Sequence, residues 1–208
     1  PTKETKYHTW KFDLGAKREG ILTASKVQYV LQGYDLKKLG YEWNGKMRVL
    51  NQIISRDWLQ NQVRVIGGAY GGFSNFSSTG RVYFASYRDP NLKETLKNYD
   101  GTTSYLKDFD VDKKDMTRFI IGTIARLDRP LTPSQKGNVA VQRHFEKVTV
   151  EDIQKDRDAI IATTPEDLRA MEKMVADILS QDAYCVYGNE EKIQEQKELF
   201  EELIPLTK

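Results

Sequence analysis

Apolar positions change period several times along the chain, and the changes outline its elements. Residues 25–31 alternate Val27, Tyr29 and Leu31 with Lys26, Gln28 and Val30. A period of two predicts a strand at 26–31 with one buried face. Residues 33–40 read as a connection. From about Asn44 to Gln60 the spacing becomes three and four, through Met47, Leu50, Ile54 and Trp58. That is one apolar helix face, with Asn44 as its N-cap and its end just before Arg64. Residues 67–73 and 81–87 read as two antiparallel strands joined by a turn at 77–80. The turn ends in Ser-Thr-Gly, and the second strand carries Val82, Tyr83, Phe84 and Tyr87.

Beyond Pro90 the helical period returns. Leu92, Leu96 and Tyr99 share a face that Tyr105 and Leu106 prolong past Gly101. Asp112 caps a helix running to about Arg126, and Pro133 opens another to about Glu146. Thr149 with Asp152 and Thr164 with Asp167 have the spacing of capping boxes, each opening a further helix. Residues 183–187 predict a short central strand, and 190–203 a last, charged helix. Residues 1–24 scatter Tyr7, Trp10, Phe12 and Leu14 among charges and read as a docking arm, with 15–20 as loop. No repeat or linker divides residues 1–208, which read as one domain. Strands come early and once near the end, and helices fill the middle. The predicted class is α+β: two layers, a mostly antiparallel sheet with helices packed on one face.

Composition narrows the possible functions. The 32 basic and 30 acidic residues leave a net charge of +2, without the basic excess of a nucleic-acid binder. No apolar run approaches the length of a membrane span. The first residues lack a signal-peptide core and an initiator Met, as expected of a piece of a longer protein or of a processed chain. The single cysteine, Cys185, lies in an apolar run and reads as a buried structural thiol.

One stretch is unusual. Gly67, Gly68, Gly71 and Gly72 flank Ala69 and Tyr70, with Arg64 just ahead. Glycine weakens a strand, so four of them mark either a sharp turn or a place where another backbone comes close. An arginine can hold a peptide carbonyl or carboxylate, and a tyrosine hydroxyl can donate to a developing oxyanion. Along one extended strand, residues 64 and 70 would lie roughly 20 Å apart; a helix end or bend between them brings them closer. The alternative is that Arg64 makes a structural ion pair and Tyr70 packs in the sheet. His8 and His144 are remote in sequence and form no metal-binding motif, so no metal ligand is assigned. A nucleophile elbow and a phosphate-binding glycine loop are also missing.

Three segments in order, from Arg64 to Phe73, from Ser86 to Leu92 and from Asn98 to Thr102, resemble the C-terminal part of the presequence-protease branch of the pitrilysin/insulinase zinc metallopeptidases. The similarity runs from about Lys26 to the end. It implies the LuxS/MPP-like metallohydrolase fold, and that this chain is the last, fourth domain of a clamshell peptidase degrading unfolded peptides in a closed chamber. Zinc would then sit in the N-terminal half of the same polypeptide, the partner of this domain, and no cofactor in this part. Carried over residue by residue, the family's arginine–tyrosine pair falls on Arg64 and Tyr70, with Gly67, Gly68, Gly71 and Gly72 beside the substrate. The resemblance implies a bacterial cytoplasm, or else a mitochondrial or other organelle matrix. Because relatives of this fold also serve as structural subunits, a non-catalytic interaction module is the alternative. The 208-residue chain alone is expected to bind no catalytic zinc and cleave no peptide. Metal analysis and a fluorogenic-peptide assay check this, and chelator-sensitive cleavage would refute it.

Overall fold

The computed structural model describes residue 10 and residues 17–206. A six-stranded sheet has the order β3-β4-β2-β5-β1-β6. Its strands are β1 (Arg18–Thr23), β2 (Tyr29–Asp35), β3 (Gly71–Phe76), β4 (Arg81–Tyr87), β5 (Tyr184–Asn189) and β6 (Glu202–Pro205). The β3–β4, β4–β2 and β2–β5 pairs are antiparallel, whereas β1 runs parallel to both β5 and β6. The class is therefore α+β as expected, with a parallel corner that the sequence pattern did not suggest.

The helices are α1 (Lys46–Ile53), α2 (Lys93–Lys107), α3 (Lys113–Leu127), α4 (Pro133–Glu146), α5 (Val150–Ile161), α6 (Pro165–Ala170), α7 (Glu172–Leu179) and α8 (Glu190–Glu195). From α1 the chain continues directly into a π-helical segment, Ile54–Ile66. Alternation along the strands sends Val30, Ser74, Phe84 and Val186 into one face, against α2, α7 and the π segment. Ile54, Leu59, Leu106 and Ile178 are almost wholly buried there, each worth about 1.5–3 kcal/mol. Tyr99 is buried too, and its hydroxyl donates to the Val30 carbonyl at 3.0 Å. Side chains on the other sheet face, including Leu31, Phe73, Tyr87 and Tyr187, stay partly exposed.

Several boundaries differ from expectation. The strand placed at 26–31 is Tyr29–Asp35, because Ser25 folds 25–27 into a turn through its hydroxyl, and pairing with β4 extends to Asp35. Gly33 is in that strand and not in a connection; a Cβ there would lie 2.2 Å from the Val82 carbonyl oxygen. The helix expected to end near Gln60 reaches Ile66, since Val63 extends the buried face of Leu59 by one turn. The next strand accordingly begins at Gly71 and not at Gly67. The helix after Thr164 breaks at Met171. The last helix stops at Glu195, and Glu202–Pro205 becomes a strand on β1. Most of the proposed arm, residues 1–9 and 11–16, lies outside the described residues. Arg18–Thr23, assigned to that arm, is an interior strand; Gly20 lets Leu203, Ile193 and Phe200 close over it. The caps at Asp112, Thr149 and Thr164 form as expected.

The π segment lies so close to β3 that a Cβ on Gly72 would be 2.8 Å from Val63 Cβ and 3.1 Å from the Leu59 carbonyl oxygen. Gly72→Val should cost about 2–3 kcal/mol through overpacking. Gly71→Ala, with nothing within 4 Å, should stay within about 1 kcal/mol of wild type. Urea unfolding of the two variants measures the contrast.

Candidate functional site

Arg64 and Tyr70 sit on either side of one chain reversal. Arg64 is exposed in the last turn of the π segment. Gly68, with φ +82°, turns the chain back. The Gly67 N–H donates to the Gln62 carbonyl, that of Gly68 to Arg64, and that of Ala69 to Val63, at 3.0, 3.0 and 3.1 Å. Ala69 is buried beneath the turn, whereas Tyr70 emerges 65% exposed. The Tyr70 N–H donates to the Tyr87 carbonyl at 3.0 Å, starting the β3–β4 ladder. The sharp bend expected between Arg64 and Tyr70 is therefore a helix C-terminus locked to a strand.

The end of β4 holds that reversal from the other side. Arg88 takes a left-handed conformation, φ +50°, and its guanidinium carbon stands 5.3 Å from the Tyr70 ring centroid. Asp89 is fully buried and exchanges backbone hydrogen bonds with Gln28. Its carboxylate accepts from the Asn91 N–H at 2.9 Å and from Thr95 Oγ1 at 2.7 Å. Burial nevertheless raises the pKa of this carboxyl above the ordinary value. Asn91 in turn donates through Nδ2 to the Gly67 carbonyl at 2.6 Å. A buried carboxylate thus fixes Asn91, and Asn91 fixes the glycine turn.

From this corner an aromatic row crosses the open sheet face. Gly71 pairs with Tyr87, Tyr29 with Tyr187, and the β2–β4 register sets Tyr29 beside Tyr87. Ring centroids are 6.5 Å apart for Tyr70–Tyr87, 5.4 Å for Tyr29–Tyr87 and 5.6 Å for Tyr29–Tyr187. The last two are edge-to-face contacts, the favoured aromatic geometry.

Residues 18–186 match the family described as the PreP C-terminal domain. The chain belongs to this family. It is 45% identical over 199 residues to Protein HypA of Clostridium perfringens, covering 96% of this chain and 20% of that protein. It is 41% identical over 162 residues to Presequence protease 1, chloroplastic/mitochondrial, of Arabidopsis thaliana, covering 77% of this chain and 15% of that one. The chain thus spans about a fifth or less of the curated relatives it matches. Its fold also resembles the crystal structure of a peptidase M16 inactive domain from Pseudomonas fluorescens, with TM-score 0.57, 17% identity, and 86% and 45% of the two chains covered.

In this PreP C-terminal domain three of the four glycines have an internal reason. A Cβ on Gly67 would meet the Val63 carbonyl oxygen at 2.6 Å, Gly68 supplies the positive φ, and Gly72 admits the helix. Gly71 alone of the four faces open space. The partners that sequence reasoning missed are Arg88 over Tyr70, Asn91 on Gly67, and Tyr29 and Tyr187 in the row. Tyr29 and Tyr187 were legible as strand positions, but their meeting required the β2–β5 register. Among the described residues no group of three His, Cys, Asp or Glu side chains is placed to hold a metal. No step of the chemistry is assigned to a metal at these residues.

Asn91→Ala should lower stability by about 1–2 kcal/mol, because the Gly67 carbonyl loses its donor. Amide exchange at Gly68 and Ala69 should quicken more than in α7. Equal acceleration throughout would mean that Asn91 does not act on the turn.

Proposed function

We propose that this chain is the substrate-binding C-terminal domain of a presequence-protease-like zinc endopeptidase, and the fourth domain of that longer protein. The observation that carries the reading is the corner itself. An exposed guanidinium and an exposed phenol are held on a rigid reversal at the sheet edge, with neither spent on the domain's own core. Arg64 holds a carbonyl or the terminal carboxylate of a bound peptide through charge-assisted hydrogen bonds. Tyr70 donates its hydroxyl proton to the oxygen on which negative charge develops as the peptide bond is attacked. Arg88, stacked on the ring, keeps the phenol in place. Gly71 leaves room for the peptide backbone beside Tyr70, and β3, as the edge strand, offers unpaired backbone groups along its free side. The aromatic row gives apolar side chains of an unfolded peptide a surface to lie on.

In this reading zinc belongs to the N-terminal half of the same polypeptide, and the two halves enclose the peptide between them. Among the described residues no helix is long and apolar enough to cross a membrane. A bacterial cytoplasm is the compartment proposed, with an organelle matrix as the alternative. A second reading, a non-catalytic module, draws support from the likeness to a domain described as inactive.

Point variants in the full-length parent separate the two. Tyr70→Phe should lower kcat about a hundredfold while KM hardly moves, since the donor acts only as charge develops. Arg64→Ala should also raise KM, because the ground-state peptide already presents its carbonyls. Wild-type kinetics in both variants would leave the structural-module reading standing.

A further inference from the structure

α4, Pro133–Glu146, is a helix with no buried residue. Among its side chains Val139 alone is half-buried; Val141 is 56% and Phe145 78% exposed. Val139 and Val141 are two residues apart, about 200° around a helix, so the side turned toward the domain is not the side carrying Val141. Gly137, Val141 and Phe145 follow at intervals of four and form one ridge, flanked by Ala140 and His144. No Lys, Arg, Asp or Glu interrupts that ridge; Lys136, Arg143, Glu146 and Lys147 lie elsewhere around the helix. A Cβ on Gly137 would meet nothing within 4 Å, which leaves room for close approach. The apolar side of this amphipathic helix thus points away from its own core, the reverse of the usual arrangement.

Its ends are well made. Thr132 and Gln135 form a reciprocal capping box, Pro133 occupies the first turn, and Lys147 closes the C-terminus at φ +56°. Yet its interior holds Gly137, Asn138, Val139 and Val141, all poor helix formers. A helix of this length without packing is marginal in water even with a favourable composition. Caps alone do not account for it, and its apolar ridge needs a cover.

We infer that the Gly137–Val141–Phe145 ridge is a docking strip covered by the preceding part of the longer parent polypeptide. The alignment with HypA spans 20% of that protein, so most of a parent of that size lies outside this domain and is tethered to it at high effective concentration. The ridge is apolar and nearly uncharged, so it calls for an apolar surface on those upstream domains. This inference requires a longer parent chain but not the roles given to Arg64 and Tyr70.

Hydrogen exchange of the full-length parent, read on peptides within 138–146, tests it. Docking should slow exchange by at least about 100-fold relative to an unstructured chain, whereas a bare surface helix stays within about tenfold; the second result overturns the proposal. V141E/F145E in the parent should abolish that protection while β3 stays protected, and unchanged protection of 138–146 overturns it. Protection that appears only at high protein concentration assigns the strip to a second copy and equally overturns the proposal. Tyr70→Phe should leave exchange at 138–146 unchanged, so this test and the catalytic reading fail separately.

Discussion

The close approach of the π segment to β3 is the constraint on which the rest of the molecule depends. Gly72 gives up its side chain so that Val63 and the Leu59 carbonyl can touch the strand. Just along the interface Ser55 accepts from the Ser74 N–H at 2.9 Å, and Ser74 Oγ lies 2.8 Å from Asn51 Oδ1. These buried polar groups are matched to each other, so they fix the sliding position of helix on strand, which apolar contacts alone leave loose. Once that position is set, the chain between Ile66 and Gly71 has no choice but a tight reversal, and Tyr70 must leave it on the outside.

The reversal is then held by polar groups drawn from distant parts of the chain. Asp89 is an expensive residue to bury, and its raised pKa reflects that cost. The compensation is local: Asn91 N–H, Thr95 Oγ1 and the backbone exchange with Gln28. Lys192 reaches the same loop from α8, donating to the Pro90 carbonyl. In the proposed role such support matters, because an arginine or tyrosine on a loose loop loses more freedom on binding.

Among the described residues, two of the apolar exposures are unlike in kind. One is the open sheet face, where tyrosines meet edge to face and offer hydroxyls as well as rings. The other is the ridge of α4, which is aliphatic, aromatic at one end and without hydroxyls. The proposed peptide ligand, of varied sequence, would suit the first, where polar tips tolerate polar neighbours. A fixed domain interface suits the second, because its complementarity can be built once and kept.

Local signals settled much of this protein before any contact was known. The strand at 81–87 and the caps at Asp112, Thr149 and Thr164 depend on neighbours within a few residues, and those neighbours are in the sequence. The same holds for the glycine run, whose density marked the corner. Tertiary structure decided what depends on partners far along the chain. Arg18–Thr23 and Glu202–Pro205 are strands because each completes the other's ladder; alone, the first looks like a charged arm and the second like the end of a helix. Ile54–Ile66 outlasts its own apolar pattern because Val63 finds Gly72 across the interface. Tyr29, Tyr87 and Tyr187 become one row only through strand registers that join residues up to 158 positions apart. Hydrogen bonds between strands and contacts between layers are non-local by nature, so the sequence could name these residues but not bring them together.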